Sequence, residues 1–155
     1  MENGINSTDI YNFFTDSLIK SGINLEKQDI CSYSPLTLAY IGDGVYELVV
    51  RSMIVTEGNA PVNKMHRRSS NLVKAETQAA LVKHFLENEL LTEEELRVYK
   101  RGRNAQSYTK AKNASVTDYR MATGFEALMG YLYLSGKNDR MMELIGQGLT
   151  ILNKE

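Results

Sequence analysis

Cysteine occurs once and proline twice in 155 residues, and both scarcities carry information. A single thiol, Cys31, has no partner within the chain, so neither a disulfide framework nor a thiolate zinc site can be built; this usage fits a reducing cytosol better than a secreted scaffold. Long apolar runs are missing too. The longest stretch free of Asp, Glu, Lys and Arg, Ile30 to Gly42, holds thirteen residues and includes Ser, Thr, Tyr and Pro, against the ~18 apolar residues of a spanning helix. A membrane protein is thereby excluded, and Met-Glu-Asn at the start lacks the basic residues and apolar run of a signal peptide. No repeat, low-complexity tract or glycine-rich phosphate loop is present, and His66 and His84 lack zinc-ligand spacing. What remains, 43% hydrophobic and 24% charged, is the composition of one compact soluble domain over residues 1–155.

Net charge is only -1, yet the charges are unevenly spread. Residues 58–75 contain Lys64, Arg67, Arg68 and Lys74 and no acid; residues 96–117 contain Arg97, Lys100, Arg101, Arg103, Lys110 and Lys112 and no acid. Ten of the eighteen basic residues thus lie in two acid-free windows, and all nineteen acids lie elsewhere. Folded side by side, the windows form a positive face on an acidic body, the electrostatic footprint of a phosphate-backbone binder. Taken separately, each is an ordinary solvated helix face.

The apolar spacing is helical nearly throughout and nowhere alternates with period two, which predicts an all-α domain. A first helix is expected over Asp9 to Ser21, capped by Thr8, with Ile10, Phe13, Phe14, Leu18 and Ile19 facing inward and Gly22 closing it. After a polar connector, Ser34-Pro35 opens a long helix to Thr56, ended by Gly58. Pro61 opens one or two helices reaching about Asn88, with a possible break near Ala75. Thr92-Glu93-Glu94-Glu95 has the form of a capping box, and Gly102 is the expected stop of the helix it starts. Residues 104–117 read as a polar loop. A final pair, about Asp118 to Ser135 and Asp139 to Leu152, is separated by Gly136. Tyr99 and Tyr108 read as solvated tyrosines able to lie against sugar or base edges.

Two carboxylates stand alone. Asp43 is the only charged residue between Ile30 and Tyr46, and Gly42 and Gly44 flank it; each glycine costs ~1 kcal/mol in a helix interior, which predicts a close approach to the backbone. Glu126 is the only charged residue between Met121 and Gly136, with Gly124 and Gly130 nearby. Singly, Asp43 reads as a turn or cap residue and Glu126 as an acid paired with Arg120 or Arg51. Together they describe two glycine-lined helices crossing closely, each bringing one carboxylate to the crossing, with a divalent cation relieving their repulsion. Oxygen-only ligands favour Mg2+ or Mn2+. A metal beside a positive face suits phosphodiester hydrolysis. Glu47 lies one turn after Asp43, but its i,i+4 spacing to Arg51 favours a surface ion pair.

These segments resemble a known family. Leu38-Ala39-Tyr40-Ile41-Gly42-Asp43-Gly44-Val45 is similar to the signature helix of the ribonuclease III family, and Phe125-Glu126-Ala127-Leu128-Met129-Gly130-Tyr131-Leu132-Tyr133-Leu134 to its second acidic helix, in the same order and separation. The resemblance covers about residues 35–145, with 1–30 as an N-terminal helical extension. No double-stranded-RNA-binding domain is expected after it, which points to the compact Mini-ribonuclease III subfamily. Lys100-Arg101-Gly102-Arg103-Asn104-Ala105 and Met65-His66-Arg67-Arg68-Ser69-Ser70 resemble that subfamily as well.

The resemblance implies an all-helical homodimer that cuts double-stranded RNA with Mg2+, Mn2+ being a substitute, in maturation of the large-subunit (23S) ribosomal RNA precursor in the cytoplasm, and leaves room for a ribosomal protein as helper. It makes Asp43 and Glu126 the catalytic metal-binding acids and Tyr40 a dimer contact. The full-length enzymes carry further acids at the positions of Ala39 and Thr123, which bears on the number of metals per site. Lys64, Arg67, Arg68, Lys100, Arg101, Arg103, Lys110 and Lys112 are the expected RNA-backbone contacts, since duplex RNA is recognised mainly through shape, phosphates and 2′-hydroxyls. The competing functional readings are a non-catalytic helical RNA-binding or ribosome-assembly factor, and a protein-interaction module whose two acids pair with arginines.

Overall fold

A computed structural model describes residues 9–105 and 115–154. The described residues form seven α-helices and one short 3-10 helix joined by short connectors, with no strand among them. They are α1 (Ile10–Lys20), α2 (Pro35–Thr56), α3 (Val62–Val73), α4 (Ala75–Glu87), α5 (Glu93–Asn104), α6 (Val116–Leu134) and α7 (Asn138–Asn153), with the 3-10 turn at Ile30–Ser32 before α2.

The local chemistry of the ends explains the boundaries. Ser34 caps α2 through its hydroxyl and Pro35 occupies the first turn, where its missing N–H costs nothing. Thr92 and Glu95 complete a reciprocal capping box at α5. Gly22, Gly58 and Gly136 take positive φ just beyond helix ends. The break between α3 and α4 falls at Lys74, whose extended ψ of 159° turns the chain; the Thr77 hydroxyl bonds the Asn71 carbonyl and the Gln78 amide bonds that of Val73, so side chains serve carbonyls the break sets free. The last pair starts earlier than its apolar pattern suggests, because Ser115 caps α6 by accepting from the Asp118 N–H. Gly102 does not stop α5. It lies within the helix, where a Cβ would come 2.7 Å from that of Ala127 and 3.0 Å from the Gly124 Cα, so this glycine serves the α5–α6 crossing.

Helix α6 is the axis of the molecule. It is apolar nearly all round, as a helix must be when neighbours cover every side, and α2, α4, α5 and α7 pack against it. Phe125, Leu128, Met129 and Leu132 are fully buried there, joined by Tyr46 and Val50 of α2, Leu81, Val82 and Phe85 of α4, and Leu144 and Ile145 of α7. Each such side chain contributes on the order of 1.5–3 kcal/mol by leaving water. Tyr99 belongs to this core: it is 1% exposed and presses on Gly124, which corrects its reading as a solvated tyrosine.

The first helix departs from expectation. Asp9 caps α1, accepting from the Asn12 N–H, while the expected cap Thr8 lies outside the described residues. Ile10, Phe13, Phe14, Leu18 and Ile19 do not face inward but are exposed. The helix leans on the body through Tyr11, whose ring meets that of Tyr133 at 5.7 Å between centroids, and this leaves its apolar stripe uncovered.

Candidate active site

The site is built where α2 crosses α6. Two glycines permit that crossing: a Cβ on Gly42 would overlap the Glu126 carbonyl, and one on Gly130 would overlap the Leu38 carbonyl. Helix backbones therefore meet almost directly, and the residues beside the crossing, Asp43 and Glu126, are brought face to face. The same is not true of Gly44, which has nothing within 4 Å and lies exposed. The close approach expected at both flanking glycines is real at one only.

Asp43 is exposed, whereas Glu126 is partly buried, on a cleft that it shares with Ala122 and Thr123. Burial, and then the charge of Asp43, push the Glu126 carboxyl up to about 8. A hydrogen bond from Gln78 works against that rise: its Nε2 donates to Glu126 Oε2 at 3.2 Å. None of the ion pairs of the described residues involves Glu126, and Arg51, one proposed partner, is held by Glu47 at 2.7 Å. The Glu47–Arg51 pair expected from i,i+4 spacing is thus present, and arginine pairing does not account for Glu126.

Beside Glu126 opens a cleft of about 320 Å³, lined by Lys74, Glu76, Gln78, Tyr119, Thr123 and others. The two positions where the resemblance places further acids in the full-length enzymes are closed to that role here. The Ala39 side chain has no polar atom, and the Thr123 hydroxyl donates to the Tyr119 carbonyl at 3.0 Å. No group of three or more His, Cys, Asp or Glu gathers around a point among the described residues. The donor set is therefore two carboxylates, one of them held back from ionising by burial and by the charge of the other. That suits a hard divalent cation keeping several of its waters, since Mg2+ is commonly held by only one or two carboxylates.

The basic residues divide between two helices. Lys64, Arg67 and Arg68 stand on α3, against a recess also lined by Met53 and Asn71. Arg68 is bonded to Glu57, its Nη2 donating at 2.9 Å. Lys100 and Arg101 are exposed on α5, and Arg103 lies over the Tyr99 ring at 5.7 Å while donating to Asn104. Both helices pack on α2, without substantial contact with each other. Lys110 and Lys112 lie outside the described residues. Tyr40 is 81% exposed on α2.

Residues 36–137 match the Ribonuclease III domain, a span that includes both acids and both glycines of the crossing. The chain belongs to the ribonuclease III family. It is 50% identical to the Mini-ribonuclease 3 of Enterococcus faecalis over 76% of this chain and 89% of that one, and 46% identical to the Mini-ribonuclease 3 of Clostridium tetani over 80% and 82%. Among solved structures it resembles the X-ray structure of a Fusobacterium nucleatum protein, with a TM-score of 0.70 and 29% identity over 77% of this chain and 96% of that one. Its activity is that of a ribonuclease III-type endoribonuclease. The family acts on double-stranded RNA and is generally dependent on divalent metal.

Gln78 escaped the sequence reading, although the signal was there. With Leu81, Val82 and Phe85 it forms one buried stripe of α4, so it is a polar residue on an apolar face, the same anomaly that exposes Glu126.

Proposed function

We propose that the chain cleaves double-stranded RNA with Mg2+, for which Mn2+ substitutes, held between Asp43 and Glu126. The observation that carries this reading is the meeting of the two acids at the Gly42–Gly130 crossing, with no arginine at Glu126. A divalent cation bound there supplies charge stabilisation for the phosphodiester and a more acidic water. The protein's own part is to hold the two carboxylates and to seat the duplex. Lys64, Arg67, Arg68, Lys100, Arg101 and Arg103, with Lys110 and Lys112, are the proposed backbone contacts; Arg68 must exchange Glu57 for phosphate, an exchange that an exposed ion pair permits at small cost. With Ala39 and Thr123 unable to add carboxylates, one cation per site is the arrangement the donors favour.

The nuclease core is assigned to about residues 35–145, with the N-terminal helix as an extension. A homodimer is part of the same reading. Leu36, Tyr40, Gly44 and Leu48 repeat every four residues along α2 and all are exposed, and Gly44 leaves open space in the middle of the stripe. A second copy seated on that stripe covers Tyr40 and can come close at Gly44. The physiological substrate we assign is the 23S ribosomal RNA precursor in the cytoplasm, with a ribosomal protein as possible helper.

The test is cleavage of a long RNA duplex with Mg2+, beside a single strand, comparing the wild type with Asp43→Asn. Duplex cutting that needs Mg2+ and is lost in the variant is the expected result. Salt-sensitive duplex binding without cutting would favour an RNA-binding or ribosome-assembly factor instead.

A further inference from the structure

Gln78 is 1% exposed, and its carboxamide is spent in an unusual way. The Nε2 donates to the Val73 carbonyl at 2.8 Å and to Glu126 Oε2 at 3.2 Å. Both neighbours are acceptors, which fixes the orientation of the amide: turned by half a rotation, it would set Oε1 against a carbonyl and a carboxylate. The consequence is that Oε1 is buried without any donor. An apolar side chain of the same length would fill this place on the buried stripe of α4 without stranding a polar atom, so packing does not explain the residue. Capping the last carbonyl of α3 explains one of its hydrogen bonds. The bond to Glu126 spans 48 residues of sequence and has no part in that cap.

We propose that Gln78 is a positioning residue, whose amide fixes the Glu126 carboxylate in the orientation that receives the divalent cation. The inference rests on the metal reading given above. Hydrogen-bond partners of metal-ligating carboxylates orient the ligand, and they matter most where ligands are few; here they number two. With Oε2 engaged by the Gln78 amide, Glu126 keeps Oε1 for the cation. Asp43, exposed on the neighbouring helix, has no such support from Gln78.

Mn2+ binding to the full chain in the absence of RNA, read from the paramagnetic resonance signal of free Mn2+, tests this. The proteins compared are the wild type, Asp43→Asn, Gln78→Met and Gln78→Asn, each with its thermal unfolding recorded by circular dichroism. Gln78→Met keeps the length and loses the amide; Gln78→Asn keeps an amide too short to span Val73 and Glu126 together. Binding by the wild type, its loss in Asp43→Asn, and a weakening of about 10- to 100-fold in folded Gln78→Met is the expected result. If Gln78→Met does not fold, the same weakening is required of Gln78→Asn. A folded Gln78 variant that binds Mn2+ as tightly as the wild type overturns the role of Gln78 and leaves the metal site standing, even where its melting temperature falls. Absence of Mn2+ binding in the wild type overturns both.

Discussion

At the residue scale the informative feature is a carboxyl kept from ionising. Burial and the facing Asp43 charge raise Glu126 to about 8, above the ordinary glutamate value of about 4.5 that it recovers in the unfolded chain. Between those two values the folded protein holds a proton that the unfolded chain has released, so stability is full below about 4.5 and is lost as pH rises through about 8. The slope in that window is at most ~1.4 kcal/mol per pH unit. Glu126→Gln removes it. Without divalent ions, this variant should match the wild type in urea denaturation near pH 4.5 and be the more stable protein by a few kcal/mol at pH 9. A divalent cation replaces the proton, so added Mg2+ should flatten the wild-type dependence and leave the variant unmoved. Equal slopes for the two proteins would mean that Glu126 ionises normally. That this residue is special was legible from its isolation in an apolar segment. That Asp43 is exposed, and the burial unequal, was not, because sequence spacing places residues on a helix face but does not say how far the neighbouring helix covers it.

At the scale of elements, the crossing of α2 and α6 decides whether there is a site at all. Gly42→Ala sets a methyl group into the Glu126 carbonyl, with backbone on both sides and no flexible side chain to yield. The helices must separate, at a cost of about 3 kcal/mol, which exceeds the ~1 kcal/mol gained by replacing glycine in a helix interior. Denaturant unfolding should show that net loss. Cleavage should fall further than stability does, since the carboxylates move apart with their helices. The helices themselves were readable because their ends carry chemistry: Ser34-Pro35, the Thr92–Glu95 box and the positive-φ glycines each mark a boundary. Gly102 was misread for an instructive reason. A glycine in a helix is either a stop or a place of close approach, and only the position of Ala127 and Gly124 shows which.

At the scale of the whole molecule, two features face outward among the described residues: the exposed apolar surfaces and bases such as Lys64, Arg67, Lys100 and Arg101, which enter none of the ion pairs there. The stripe of α1 was expected to face inward because amphipathic spacing reports that a face is covered, not whether its own chain covers it. The same ambiguity holds for Tyr40, and Tyr40→Asp should convert a dimeric mass at micromolar concentration into a monomeric one by light scattering, without loss of helicity. A wild type already monomeric there would remove the dimer from the reading. The described bases of the windows lie mostly on α3 and α5, both packed on α2, the helix that carries Asp43, so a duplex bound to both helices would run across α2. If their bases neutralise phosphates, affinity must fall with salt by a log–log slope of about -0.9 per phosphate on the scale of B-form DNA. Lys64→Gln and Lys100→Gln should each weaken duplex binding in every sequence and reduce that slope by about 1. Filter binding between 50 and 200 mM salt, in EDTA to prevent cleavage, separates the windows: a slope unchanged by either substitution would mean that the charges decorate solvated helix faces, while a change from one alone would confine the RNA to that helix.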